Sequence, residues 1–170
     1  MATEGFTDAI AMLEADHRTV EDLFEQFEKT SDVGKKAALA QEICTELKIH
    51  SLLEEEFFYP ALRGKVEDRS LNEAQVEHDA AKVLINDIES GEPDSDSFYE
   101  AKVKVLFEEI KHHVKEEEKS SGGVFAQARG AGVDLVALRD SMLARRRELL
   151  EQSQSSAWLP VAKSVAVRLS

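Results

Sequence analysis

The chain has 170 residues, enough for one domain with a real core, and 42% hydrophobic with 32% charged residues is the composition of an ordinary soluble helical protein. A net charge of −13 repels phosphate backbones and anionic lipid, which argues against a nucleic-acid partner. Cys44 is the single cysteine, so no internal disulfide can form, and Met1–Gly5 lacks a basic region followed by an apolar run; no signal peptide or membrane span is expected, and the expected location is the cytoplasm.

In chain order, the first predicted helix covers Thr7–Lys29. Ile10, Leu13, His17, Val20, Phe24 and Phe27 recur at spacings of three and four, the seam of a packed helix. Thr30–Gly34 reads as a loop. The second helix covers Lys35–Leu62 with the seam Ile43, Leu47, His50, Glu54, Phe57 and Ala61; Pro60 is expected to bend its last turn and Gly64 to stop it. The third runs from Ser70, read as its N-cap, to Glu89, with the seam Leu71, Ala74, His78, Ala81, Ile85 and Ile88. After the polar loop Ser90–Ser97, the fourth covers Ser97–Lys119 with the seam Val103, Leu106, Ile110, His113 and Glu117, and Ser120–Gly123 ends it. Four amphipathic helices on short loops predict an all-α fold, an antiparallel up-down-up-down four-helix bundle.

A fifth helix is predicted over Asp134–Gln152, then a linker at Ser153–Ser156 and an apolar and basic tail over Trp158–Leu169. The expected division is a bundle over residues 1–128 and a C-terminal helix and tail over 129–170, packed on the bundle or on a partner such as a second copy. Residues 1–128 hold 14 Lys+Arg against 30 Asp+Glu, a net −16, and 129–170 hold 7 against 4, a net +3. The basic cluster Arg145–Arg147 reads as a solvated helix face, with docking on the acidic body or on a partner as alternatives.

Each bundle helix places one histidine in its apolar seam, and two place a glutamate four residues further on: His50–Glu54 and His113–Glu117. Residues four apart share a helix face. A lone seam histidine is usually a satisfied core residue. Four of them with two seam carboxylates are not, because buried carboxylates without a partner are costly. A shared cation removes that cost, so His17, His50, Glu54, His78, His113 and Glu117 are read as metal ligands. Six ligands overfill a tetrahedral zinc site. Shared by two ions they give two histidines each, with Glu54 and Glu117 bridging. An oxo or hydroxo bridge then leaves iron or manganese an open position for a small molecule. His112 lies ~100° from His113 and off the seam. Glu55, Glu56, Glu116 and Glu118 also leave the seam and read as solvated groups or as carboxylates orienting a ligand histidine. The His-x-x-x-Glu pair on the second helix of each half hints at internal duplication. A ferritin-like site built on Glu14–His17 and Glu109–His112 fits less well, because Glu14, Glu109 and His112 lie off the seams.

His17, His50-x-x-x-Glu54, His78 and His113-x-x-x-Glu117, one set per helix, with the segment Glu54–Pro60, resemble the hemerythrin-like HHE cation-binding family over about residues 7–125. The resemblance implies a non-haem di-iron centre within a four-helix bundle. Members carry oxygen, sense oxygen, iron or nitric oxide, or decompose peroxide. The chain departs from the oxygen carriers at two places. Ala74 stands where they have a fifth histidine, and Glu117, four residues after His113, stands where they have an aspartate five residues on. The expected function is that of a di-iron protein that meets oxygen, peroxide or nitric oxide in stress response or sensing, with catalase-like peroxide decomposition as one form. Iron storage or delivery, and a helical interaction module with a structural metal, are the alternatives.

Overall fold

The structure, a computed structural model, describes residues 5–156 and 159–168; Trp158 and Leu169 of the expected tail lie outside the described residues. Among those described there is no strand. The helices are α1 (Ala9–Lys29), α2 (Val33–Leu53), a π-helical turn (Glu54–Phe58), α3 (Tyr59–Leu62), α4 (Asp68–Ser90), α5 (Tyr99–Glu117), α6 (Val124–Gly130) and α7 (Leu135–Ser156). The first two start on aspartate caps: Asp8 accepts from the Ala11 amide at 2.9 Å and Asp32 from the Lys35 amide at 2.7 Å. Helix α4 starts two residues before the expected Ser70 cap, and its N-cap, Glu67, makes no side-chain cap bond.

α1 packs on α2, α2 on α4, α4 on α5 and α5 on α1, the closed ring of an antiparallel bundle. Two apolar clusters fill it. One, around Ile10, Leu13, Leu53, Phe58 and Leu71, lies toward α6 and α7; the other, around Phe24, Ile43, Ile85 and Leu106, fills the opposite end, where the Phe24 and Phe107 rings stack at 4.5 Å. The four seam histidines and two glutamates form a polar layer where the two clusters meet: His17, His78 and Glu117 fall between them in sequence, while His50, Glu54 and His113 interleave with residues at the edge of one cluster.

Several further details go beyond the sequence reading or differ from it. A π-turn precedes Pro60, in which the Tyr59 amide donates to the Glu54 carbonyl five residues back. Proline has no N–H to give, so the turn widens just before it. Ser153–Ser156 is the last turn of α7, not a linker. Two of the three arginines of the basic cluster dock on the bundle instead of facing solvent: Arg145 donates to both oxygens of Glu56 (2.8 and 3.2 Å), and Arg146 pairs with Asp16, while Arg147 is exposed. With Met142 and Leu149 of α7 buried in the first core cluster, opposite charge and apolar contact hold α7 against the acidic bundle. Residue 128, where the sequence reading divides the chain, lies within α6, a short helix that reading does not contain.

Gly122 takes the left-handed conformation (φ +80°) after α5, and Gly123 then crosses close to that helix's end. A Cβ at Gly123 would stand 2.5 Å from the Lys119 carbonyl oxygen and 2.7 Å from that of Glu117. Both atoms are backbone and cannot swing aside. Gly123→Ala is therefore expected to destabilise the fold by about 2 kcal/mol or more, a drop of roughly 4–8 °C at this chain length. A thermal melt equal to that of the wild type would contradict it.

Candidate metal centre

All six seam residues are buried, with Glu54 fully enclosed. The structure brings them to one point. The Nε2 atoms of His17 and His50 approach to 3.3 Å, and those of His78 and His113 to 3.2 Å. Glu54 Oε2 lies 3.4 Å from His50 Nε2, 3.0 Å from His78 Nε2 and 3.9 Å from His113 Nε2. Glu117 Oε2 lies 3.5 Å from His17 Nε2 and 3.4 Å from His113 Nε2. The donors form two groups, His17–His50–Glu54–Glu117 and Glu54–His78–His113, sharing Glu54; the donor atoms of each lie within 4.8 Å of one another. Ligands bound at about 2.0–2.2 Å to one ion stand about this far apart.

Two oxygens test whether a cation fits. Glu54 Oε1 and Glu117 Oε2 are buried and accept no hydrogen bond. A carboxylate oxygen without a donor or cation is costly in an apolar interior. The donor set, imidazole and carboxylate in two groups that share Glu54, suits borderline or hard divalent cations.

A second ring of carboxylates orients the imidazoles. Every ligand-candidate histidine meets one at Nδ1: His17 meets Glu118 at 2.7 Å, His50 meets Asp16 at 3.2 Å, His78 meets Glu55 at 3.1 Å and His113 meets Glu77 at 2.6 Å. An ionised carboxylate only accepts, so Nδ1 carries the hydrogen, and once the ring is neutral its Nε2 lone pair faces the centre. Glu55 and Glu118 were candidates for this role from sequence; Asp16 and Glu77 were missed. They precede His17 and His78 in sequence, yet each serves the histidine of the following bundle helix. The local signal was the repeated acid–histidine pair, Asp16–His17 and Glu77–His78. The pattern is two-fold: α1 relates to α4 and α2 to α5, each His, Glu and outer carboxylate having its counterpart. Glu56 and Glu116 stay outside, paired with Arg145 and Lys119. His112 is 63% exposed, 3.3 Å from Glu77.

Tyr59 breaks the symmetry. Five residues along an α-helix is ~140° around, which would turn Tyr59 away from Glu54. The π-turn restores it to the Glu54 face. Its hydroxyl lies 2.7 Å from Glu117 Oε1, 3.0 Å from Glu54 Oε2 and 3.3 Å from His78 Nε2. Ala74, one turn before His78, is buried and carries no donor.

The charges in this layer move the titration of several of its groups. Burial alone would push the His50 imidazole down, but Glu54 and Asp16 outweigh it and hold it up at about 10. Burial likewise opposes the charged form of His113, and Glu117, Glu54 and Glu77 override it, keeping that imidazole well above its ordinary value. His17 is raised against burial by Glu117 and Glu118. For Glu117, burial and the Glu54 charge push upward, while His113 and His17 pull it down to about 2. Glu54, opposed by burial, is held well below the carboxylate range by His50, His113 and His78. Burial and the two glutamates push the Tyr59 phenol well above its ordinary value.

A cavity of about 30 Å³ adjoins the four histidines, its other walls including Val20, Leu47, Ala81, Ile85, Ile110 and Val114. That is room for about one water-sized molecule. Among the described residues, no helix is long and apolar enough to cross a membrane.

The family model described as Hemerythrin HHE cation binding domain matches residues 8–120. A solved structure, of a Hemerythrin HHE cation binding domain-containing protein from Mycobacterium kansasii, is similar in fold: TM-score 0.70 at 19% identity, covering 88% of this chain and 91% of that one. No curated protein matches the chain.

Proposed function

This chain belongs to the hemerythrin HHE cation-binding family, and from that premise we propose that it holds two iron ions in its polar layer and reacts there with peroxide, oxygen or nitric oxide instead of carrying oxygen. The observation that carries the reading is the pair of buried, unbonded carboxylate oxygens, Glu54 Oε1 and Glu117 Oε2, among four imidazoles whose Nε2 atoms converge. His17 and His50 would hold one ion and His78 and His113 the other, with Glu54 and Glu117 completing the donor set. When bound, the pair supplies redox chemistry and an open coordination position for a small ligand.

The chain's own residues favour reaction over carriage. Ala74 offers no donor on its side of the layer, and beside Glu54 Oε2 the Tyr59 hydroxyl, 3.3 Å from His78 Nε2, is a second oxygen next to that histidine. Its proton, held on Glu117 or Glu54, stands within reach of anything that enters. The apolar walls of the cavity admit small, weakly polar molecules. A 30 Å³ space has no room for a mineral, which weighs against iron storage.

Protein expressed with ample iron is expected to carry two irons per chain by elemental analysis and to consume added peroxide. Tyr59→Phe should keep both irons while slowing peroxide consumption, since it removes the phenol proton within reach of the entering ligand. One zinc per chain and no iron would defeat the proposal.

A further inference from the structure

Residues 159–168 lie as a strap against α2 and α4, and their attachment leads to the metal layer. The strap is pinned mainly through its backbone. Lys48 donates to the Leu159 carbonyl at 3.3 Å. Asn86 pairs with both the carbonyl and the amide of Ala162, at 2.8 and 3.0 Å. Lys82 donates to the Lys163 carbonyl at 3.0 Å. Asp79 accepts from three successive amides, Val165 (3.0 Å), Ala166 (2.6 Å) and Val167 (2.8 Å). Among the strap's described residues, Leu159 alone is buried; Val161 and Val165 are 67% and 66% exposed. A segment held by polar pins with little apolar burial opens more easily than the core it covers.

The pins continue inward. Lys82, buried beneath the strap, donates to Glu55 Oε1 at 2.7 Å and lies 3.3 Å from Asp79 Oδ1. Gln75 bridges the same two carboxylates, at 2.8 and 3.3 Å. Glu55 Oε1 in turn takes the Nδ1 hydrogen of His78. The strap also roofs a groove of about 340 Å³ whose inner wall includes Ser51 and Lys82, and both residues line the small cavity at the histidines as well. Ser51 and Lys82 therefore stand between the space under the strap and the metal layer.

We propose that the strap is a releasable cover on the α2–α4 side of the centre, and that Asp79 and Lys82 are positioning residues that transmit its docking through Glu55 to His78. Docked, the strap fixes the Lys82 ammonium, the Lys82–Glu55 bond holds the His78 ring, and the passage past Ser51 is closed. Released, Lys82 loses its outer acceptor, Glu55 and His78 gain freedom, and the passage opens. The cover half of this inference rests on the di-iron reading; the positioning half does not.

The test uses the full chain with Asp79→Asn, which places an amide donor against three N–H groups, and Asn86→Ala, which unpins Ala162 at a half-buried position two turns away from His78. In metal-free protein, hydrogen exchange at the amides of Val165–Val167 reads docking, and the imidazole nitrogen shifts of His78 read the relay. In iron-loaded protein, the rate of ferrous release to a chelator reads the cover. Asp79→Asn is expected to speed amide exchange at least tenfold, shift the His78 signals and accelerate iron release about tenfold. Asn86→Ala should accelerate exchange and iron release less strongly. If the amides exchange freely while the His78 signals and the release rate stay at wild-type values, the inference is overturned. It is also overturned if those amides exchange in the wild type at the rate of an unstructured chain. Moved His78 signals in a protein that takes up no iron would uphold the relay and defeat the di-iron reading instead.

Discussion

Glu54→Ala is expected to empty both metal positions at once, whereas His112→Ala should empty neither. Glu54 is the one residue shared by both donor groups, reached by His50, His78 and His113. Removing its carboxylate takes a negative charge and a bridging donor from each position, and leaves the histidines to repel one another when protonated. His112 is one residue from His113, yet it points outward and only its link to Glu77 approaches the centre. In the wild type, ligand at a thousandfold excess over its dissociation constant adds about 4 kcal/mol, roughly 10 °C in melting temperature at this chain length. Glu54→Ala should abolish that metal-dependent rise and His112→Ala should keep nearly all of it. The measurement is metal content together with the melting temperature, with and without added ferrous ion. Equal metal loss in His112→Ala and Glu54→Ala would mean that the centre lies elsewhere on α5.

The residues of this layer could be picked out in the sequence because they violate their surroundings. A histidine or glutamate in an apolar seam has a low prior, and helical periodicity alone brings His50 over Glu54 and His113 over Glu117. The outer carboxylates were only half legible for a physical reason. Glu55 and Glu118 follow a ligand-candidate glutamate, so helix phase puts them near the layer. Asp16 and Glu77 serve a histidine on another helix, and periodicity within one helix says nothing about which neighbour a side chain meets. The π-turn was hidden for a related reason. Pro60 announces a disturbance, but a bend and a widened turn are both answers to a missing N–H. Only the widened turn carries Tyr59 into the layer. Arg145 and Arg146 were read as solvated because charge runs usually are; the acidic bundle beneath them, net −16 over residues 1–128, supplied Glu56 and Asp16 as partners.

The metal-free protein and the loaded protein should respond to pH in opposite directions above neutrality. Without metal, protons take the place of cations: His50 and His113 are held charged beside Glu54 and Glu117. His50 has a folded-state value of about 10 against an ordinary 6.5. Its contribution is fully present below about 6.5 and is lost as pH rises through 10. Glu117 is held down at about 2 against an ordinary 4.5, so its contribution is present above 4.5 and is lost as pH falls through 2. The metal-free fold is therefore most stable between about pH 4.5 and 6.5, and between pH 6.5 and 9 it should lose on the order of 2–4 kcal/mol. Metal binding requires the same imidazoles to be neutral and the carboxylates to be ionised. Loading at pH 7 must then expel the protons of His50 and His113, and affinity must rise with pH. The gap in melting temperature between loaded and metal-free protein should widen from pH 6 to 9 and close toward pH 5, where protons displace the metal. Calorimetric titration with ferrous ion in buffers of different ionisation enthalpy counts the protons released, and about two per chain are expected. Parallel melting curves across pH 5–9, with no proton release on loading, would show that these histidines are neither charged in the empty layer nor ligands in the filled one.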